Sequence, residues 1–301
     1  MTSPDRSGFA EEYPFPSHYI EHQGHRLHYV DEGEGEVLLF VHGNPTWSFA
    51  WRNLIKSLSP HYRCIAIDHL GCGFSDKPQD YPYRLNNHIE NLLALVEHLD
   101  LQKITFIAHD WGGAIAMGAA ARQPGRAARF VLGNTAAFRS KLIPRSIHLI
   151  HIPGFGAVAV RGFNAFVRFG LKWTVVDKQV MKPAVKAGYL APYGNWHNRI
   201  GVLRFVQDIP LKPTHPSYNT LKEVEEGLAK FKDYPMQFIW GAQDFCFTTQ
   251  FLEEFKTFFP NANTTVFPDA GHYLFEDKPA EMIELIQCFL EQNPQPRNEP
   301  S

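Results

Sequence analysis

The stretch Ile104–Gly113, ITFIAHDWGG, decides how the rest of the chain is read. Ile104, Phe106 and Ala108 alternate as the inward face of a short buried strand, and the small-residue run Ala114–Ala121 reads as a helix. Between them, Ala108 lies two residues before Asp110 and Gly112 two residues after it. Small neighbours at those positions fit a very tight strand-to-helix turn that thrusts the central residue out of the sheet in a strained conformation. That central residue is usually Ser, and here it is Asp. A carboxylate is already ionised at neutral pH and needs no base to make it a nucleophile. An ordinary N-cap aspartate would sit at a similar junction. The Gly112-Gly113 pair, the preceding His109 and the partners found downstream favour the nucleophile.

Outward from this turn the chain alternates strand and helix. Towards the N-terminus, Ser17–His22 and Arg26–Val30 read as a hairpin joined at Gln23-Gly24. Glu36–Val41 is a continuous apolar run, as expected of a parallel strand covered on both faces. A helix is expected over 48–57, a strand over 63–68 and a helix over 86–99 with Ile89, Leu92, Leu93 and Val96 on its apolar face. The Gly71-Cys72-Gly73 pair lacks a third glycine and is followed by prolines, so it is a loop and not a dinucleotide fingerprint. After the turn come a strand at 129–132 and, much later, alternation again: strand 235–240, helix 248–259, strand 264–267, helix 279–290. Between Phe138 and about Phe231 there is no such rhythm. Aromatic-rich helical segments broken by Pro144, Pro153, Pro183, Pro192 and Pro210 suggest an inserted helical cap. The expected fold is therefore α/β, a mostly parallel sheet flanked by helices. Residues 1–138 and 232–301 form the core and 139–231 the cap. Residues 1–17 are expected to be a loosely held arm.

The net charge of −2 and pI of about 6.7 give no reason to expect nucleic acid or an anionic membrane as a partner. The 24 phenylalanines suit either an apolar cavity or an aromatic core. Cys64, Cys72, Cys246 and Cys288 have no metal-ligand spacing and are expected to be free, mostly buried thiols of a reducing compartment, the cytoplasm. No signal peptide, membrane span, metal or organic cofactor is expected.

In a parallel sheet, ligands bind at the carboxyl ends of the strands. Two further strand ends carry suitable groups: Asp244 in Gly241-Ala242-Gln243-Asp244, and His272 in Asp269-Ala270-Gly271-His272. The order Asp110…Asp244…His272 is the one this topology gives. His272 would be the general base, and since Asp110 needs no activation its task is to deprotonate water in a second step. Asp244 would orient the imidazole and stabilise its charged form. A fourth strand end, His42-Gly43-Asn44-Pro45, can supply a backbone N–H to an oxyanion hole. The Asn44 side chain and the Trp111 indole would add two neutral donors, suited to a soft anion leaving during the reaction or to one charged end of a substrate.

The motifs HGNPTWSFAWR, DHLGCGFSDKP, HDWGG, WGAQD and DAGHYLFED resemble those of the haloalkane dehalogenases, an α/β-hydrolase family with an aspartate nucleophile. The resemblance implies that Asp110 displaces halide to form an alkyl ester, that water activated by His272 hydrolyses it, and that Asn44 and Trp111 hold the halide. Some members carry a Glu acid after the strand preceding the cap. Here Gly133-Asn134-Thr135 has no carboxylate, which leaves Asp244. This pairing resembles one subgroup that also contains the OleB β-lactone decarboxylases of olefin biosynthesis. NTAAF, FNAF, YGNW with Arg199-Ile200, and RFVQDIPL resemble their cap segments.

The leading expectation is a haloalkane dehalogenase; the alternative, using the same residues, is a cis-β-lactone decarboxylase. Expected ligands are a small apolar substrate and a halide ion. A homo-oligomer, or association with olefin-pathway enzymes, stays open; Phe163, Phe166, Phe169 and Trp173 would line a cavity, fill the core or form an exposed sticky face. Epoxide hydrolases also use an Asp–His–Asp set, with two cap tyrosines, for which Tyr189 and Tyr193 are the candidates. The residue at Asn44 is usually aromatic there, which weighs against that reading. A non-catalytic binding protein on this scaffold should show a broken triad, and this triad is intact.

Overall fold

A computed structural model describes residues 5–142, 147, 150–152 and 154–295. One eight-stranded sheet runs in the order β1-β2-β4-β3-β5-β6-β7-β8. Its strands are β1 (His18–His22), β2 (His25–Glu32), β3 (Val37–Val41), β4 (Arg63–Ile67), β5 (Ile104–Asp110), β6 (Ala127–Thr135), β7 (Met236–Gly241) and β8 (Asn263–Phe267). The first two form an antiparallel hairpin, and β2 joins β4 antiparallel. Every other pairing is parallel. Gln23 and Gly24, at φ 51° and 78°, give the hairpin the left-handed pair of turn residues that matches strand twist.

Alternation along the central strands sends side chains to two layers. Leu38, Phe40, Ile107, Val131 and Ile239 face one core; Leu39, Val41, Phe106, Phe130 and Phe238 face the other. The first layer is covered by α1 (Arg52–Leu58), which follows a 3-10 turn at Ser48–Trp51, and by residues of the C-terminal helices. The second is covered by α2 (Leu85–His98) and α3 (Trp111–Arg122). Strand β8 at the sheet edge is the exception, with no fully buried residue.

Between β6 and β7 lie a π-helical turn, Ala157–Gly162, and α4 (Ala165–Trp173), α5 (Pro183–Leu190), α6 (Ile200–Gln207) and α7 (Tyr218–Gly227). Pro183 opens α5 instead of breaking it, since the first helical position needs no N–H. Pro144 and Pro153 lie outside the described residues. Val160, Val167, Tyr193, Val202 and Leu203 give this insertion a small core of its own. Helix α7 returns to the sheet layer: Val224 packs against Gly118, and Gly227 against Ala121 of α3. The chain ends in α8 (Thr249–Phe258), α9 (Leu274–Asp277) and α10 (Pro279–Gln292). The one-turn α9 has too short a pattern to be read from periodicity.

Two sequence expectations are corrected. The described part of the N-terminal segment is not loose: Phe9 and Tyr13 are buried against Trp47 and Phe49, the buried Phe15 packs edge-on to Tyr13, and the Tyr13 hydroxyl lies 2.5 Å from Ser48 Oγ. Three apolar rings outweigh the prolines and charges between them. All four cysteines are unpaired, but only Cys64 and Cys72 are buried, while Cys246 is half-buried and Cys288 exposed. Among the described residues no helix is long and apolar enough to cross a membrane, and no cluster of three His, Cys, Asp or Glu is placed to hold a metal.

Candidate active site

Strand β5 is buried throughout and delivers Asp110 to the carboxyl edge of the sheet. There Asp110 adopts φ 55°, ψ −129°, a conformation that costs a non-glycine residue about 1–3 kcal/mol unless its surroundings impose it. They do. The Thr135 hydroxyl donates to the Asp110 carbonyl. A Cβ at Gly112 would collide with the Val41 carbonyl, and one at Gly43 with the Asp110 carboxylate. Glycine at these two positions is what lets the turn form and lets its carboxylate approach the neighbouring loop.

The Asn44 backbone N–H donates to Asp110 Oδ1 at 2.6 Å, and the Trp111 N–H also hydrogen-bonds the carboxylate. Burial pushes the Asp110 carboxyl pKa up; the nearby imidazole and these two N–H groups oppose it, leaving a net rise above the ordinary value. Two backbone donors thus hold a carboxylate that is largely stripped of water.

His272 Nε2 stands 3.7 Å from Asp110 Oδ2. Its Nδ1–H donates to Asp244 Oδ2 at 2.7 Å, while the Cys246 N–H fixes the other Asp244 oxygen at 2.6 Å. The structure thus brings together all three residues singled out at the strand ends. Burial alone would lower the His272 pKa, but Asp244, through charge and hydrogen bond, and Asp110 carry it above the usual histidine value. Phe247 stacks on the ring with centroids 5.8 Å apart.

The two side-chain donors behave differently. Asn44 Nδ2 gives a hydrogen to the Val202 carbonyl at 3.1 Å; an amide carries a second one. Its Oδ1 is buried without a partner. Trp111 is half-buried on the cavity wall, its ring edge-on to Phe205.

Asp110, His272, Asn44 and Trp111 share a cavity of about 730 Å³ whose remaining wall is mostly apolar, including Phe138, Phe166, Phe169, Phe247 and Phe251. Tyr189 and Tyr193 do not line it. The Tyr189 hydroxyl donates to Glu276 at 2.6 Å, and Tyr193 is buried beside Cys72 and Thr46. The epoxide-opening pair for which they were the candidates is therefore not assembled at this site.

Several supporting residues escaped the sequence reading. His109 Nε2 donates to the His272 carbonyl at 2.8 Å. Asp277 accepts from the N–H groups of Gly271, Val176 and Asp177 at 2.8–3.1 Å, and the Tyr273 N–H reaches the Thr174 carbonyl at 2.9 Å. The end of α4 is thereby stitched to the His272 loop. Arg52 donates to Glu276 in bidentate fashion, both side chains being 2% exposed. Only His109, directly before Asp110, had a sequence signal that pointed here. Asn134 spans to Gly241 in both directions, Nδ2 to its carbonyl at 3.0 Å and Oδ1 from its N–H at 2.7 Å; it braces the β6 and β7 ends.

The sequence pattern of the α/β hydrolase fold spans residues 36–279. The chain belongs to the α/β hydrolase fold family. Within this family it is 44% identical over 283 residues to the cis-3-alkyl-4-alkyloxetan-2-one decarboxylase of Shewanella oneidensis, covering 92% of this chain and 89% of that protein. Haloalkane dehalogenase 2 of Mycobacterium tuberculosis is 32% identical over 276 residues, 91% of this chain and 94% of its own. The crystal structure of the haloalkane dehalogenase DatA from Agrobacterium tumefaciens shares the fold. Its TM-score is 0.84 at 24% identity, over 93% of this chain and 97% of that one. The hydrolase-fold enzyme thus falls in the subgroup its motifs indicated, but the likeness ranks the two activities in the opposite order. Decarboxylase similarity exceeds dehalogenase similarity.

Proposed function

We propose that this enzyme is a cis-β-lactone decarboxylase, converting a 3-alkyl-4-alkyloxetan-2-one to carbon dioxide and a cis-alkene. The observation that carries the reading is the 44% identity, over nine-tenths of the chain, to a protein of that activity. An apolar cavity of about 730 Å³ suits two alkyl chains. In this reading residues 1–138 and 232–301 form the catalytic core and 139–231 the cap, of which α7 also serves the core. The unpaired cysteines fit a cytoplasmic setting.

The chemistry balances with Asp110 as nucleophile. Its carboxylate attacks ring carbon C4, the C4–O bond breaks, and the ring carboxylate is released while still attached through C3. The C3–carboxylate bond then breaks as carbon dioxide leaves. Its electron pair forms the C3=C4 double bond, expelling Asp110 with its own oxygens. Inversion at C4 followed by anti departure preserves the cis geometry. The Trp111 indole N–H and the second Asn44 amide hydrogen hold the carboxylate that leaves the ring. No water is consumed, so His272 serves here in its protonated form, 3.7 Å from the departing Asp110 oxygen. Its raised pKa, set by Asp244, suits that role.

Haloalkane dehalogenation is the second reading, supported by the same triad and the 32% identity to a dehalogenase. There a halide takes the place of the ring carboxylate, and neutral His272 activates water.

The deciding experiment supplies a cis-3,4-dialkyl lactone and a panel of bromoalkanes to wild type and Asp110→Ala, following alkene and bromide. Alkene from wild type alone supports decarboxylation. Rapid bromide release without alkene from the lactone overturns it. Turnover in ¹⁸O-water adds a second readout: decarboxylation leaves Asp110 unlabelled, whereas ester hydrolysis labels it.

A further inference from the structure

The cap is electrostatically unlike the rest of the chain. Residues 139–231 contain fourteen Lys and Arg against five Asp and Glu, while the remainder contains fifteen against twenty-six. Within this basic region α4 turns Arg168, Phe169, Lys172 and Trp173 outward. Phe169 and Trp173 are 49% and 56% exposed, and their rings stack with centroids 5.9 Å apart. Phe245, also exposed, meets Phe169 edge-on at 5.9 Å. Lys172 Nζ lies 5.4 Å from the Trp173 ring centroid. Among the described residues neither Arg168 nor Lys172 has a carboxylate partner.

This face adjoins the mouth of the catalytic cavity, because Phe169 and Phe245 are at once solvent-exposed and part of the cavity wall. Exposed aromatic rings set between unpaired cations on one helix face have the composition of a segment that lies in the headgroup region of a bilayer. The rings enter the acyl boundary and the cations meet anionic headgroups. A two-fold contact with a second copy would oppose the same cations to one another, which counts against self-association as the cover for this patch. We propose that the outer face of α4 docks on an anionic phospholipid surface, so that an apolar ligand passes between bilayer and cavity without crossing water. The inference goes beyond the assignment of the reaction and holds for either substrate.

The test is flotation of the full chain with vesicles of phosphatidylglycerol and phosphatidylethanolamine, compared with phosphatidylcholine alone. Binding should favour the anionic vesicles and weaken as salt rises. Arg168→Gln with Lys172→Gln should lower it about twenty-five-fold, at about fivefold per cation near the surface. Trp173→Ser should lower it about tenfold through lost apolar contact. None of these three side chains lines the cavity, so turnover of a short-chain substrate in free solution should persist and show that the variants are folded. Equal partition onto neutral vesicles, no partition at all, or full binding by the charge variant would overturn the proposal. So would light scattering that finds a wild-type dimer split by Trp173→Ser in protein that ignores vesicles; the face would then belong to a second copy.

Discussion

His272 Nε2 and Asp110 Oδ2 are 3.7 Å apart, too far for a hydrogen bond, whereas His272 Nδ1 is locked to Asp244 at 2.7 Å. In a serine-type triad the histidine grips the nucleophile to take its proton. In the proposed reaction Asp110 attacks as a carboxylate and has no proton to give. The gap leaves the imidazole's free edge beside any group that Asp110 would carry in that reaction.

His272→Ala should therefore separate the two chemistries. With a long-chain bromoalkane, ester formation survives and hydrolysis stops, so intact mass spectrometry should show a stable adduct on Asp110. With a cis-lactone, loss of the cation beside the departing Asp110 oxygen slows turnover, but any adduct decays to alkene, because the second bond cleavage needs no base. A lactone adduct as persistent as the bromoalkane one would show that His272 is needed as a base after the ester in that reaction too.

The pH profiles of the two reactions should slope in opposite directions. The His272 pKa is raised above the usual 6.5. Hydrolysis of an alkyl ester needs the neutral ring, so bromide turnover falls as pH drops through that raised value. Lactone turnover uses the protonated ring and falls as pH climbs through it. Asp244→Asn removes the main group raising the pKa and should move both limbs towards acid. Rate–pH curves for wild type and variant check this, and limbs that stay put would exclude His272 as their origin.

Trp111→Phe, which keeps the ring and deletes its N–H, should cost about 10²–10³-fold in kcat if that donor meets transition-state charge. Asn44→Ala should cost a similar factor. Losses below about threefold in both would place the departing carboxylate elsewhere.

The Arg52–Glu276 pair tests stability apart from chemistry. Both groups are buried, and Glu276 is also held by Arg52 Nη2 at 2.8 Å and by Tyr189 at 2.6 Å. Arg52→Met strands a carboxylate away from water and should destabilise the fold by about 3–5 kcal/mol. Arg52→Met with Glu276→Leu should recover most of that. Urea unfolding midpoints measure both.

The sheet, its order of elements and the strand-end residues were legible because each rests on local pattern: period-two burial, a Gly-flanked turn, an acid or histidine just past an apolar run. Asp110, Asp244 and His272 could be placed together from topology alone. What supports them could not. Asp277 binds N–H groups about a hundred residues away, Glu276 meets an arginine 224 residues distant, and no spacing rule links them. The burial of Phe9 and Tyr13 was hidden for the same reason, since their partners Trp47 and Phe49 lie in another element. The choice between lactone and halide was not legible either. Both reactions ask for the same five side chains, and the distinction resides in what the cavity admits.

The stitching of Thr174, Val176 and Asp177 to Tyr273 and Asp277 divides the insertion into two parts with different freedoms. Among the described residues ahead of α4, Ser140, Leu142, Phe155 and Val160 line the cavity and make no hydrogen bond to the histidine loop, so in the proposed reaction this portion can be redrawn to suit longer or shorter chains while the acid–base setting stays fixed. Any change that slides the far end of α4 drags the imidazole with it. Selectivity and proton chemistry are thus adjustable separately on one side of Thr174, and only jointly on the other.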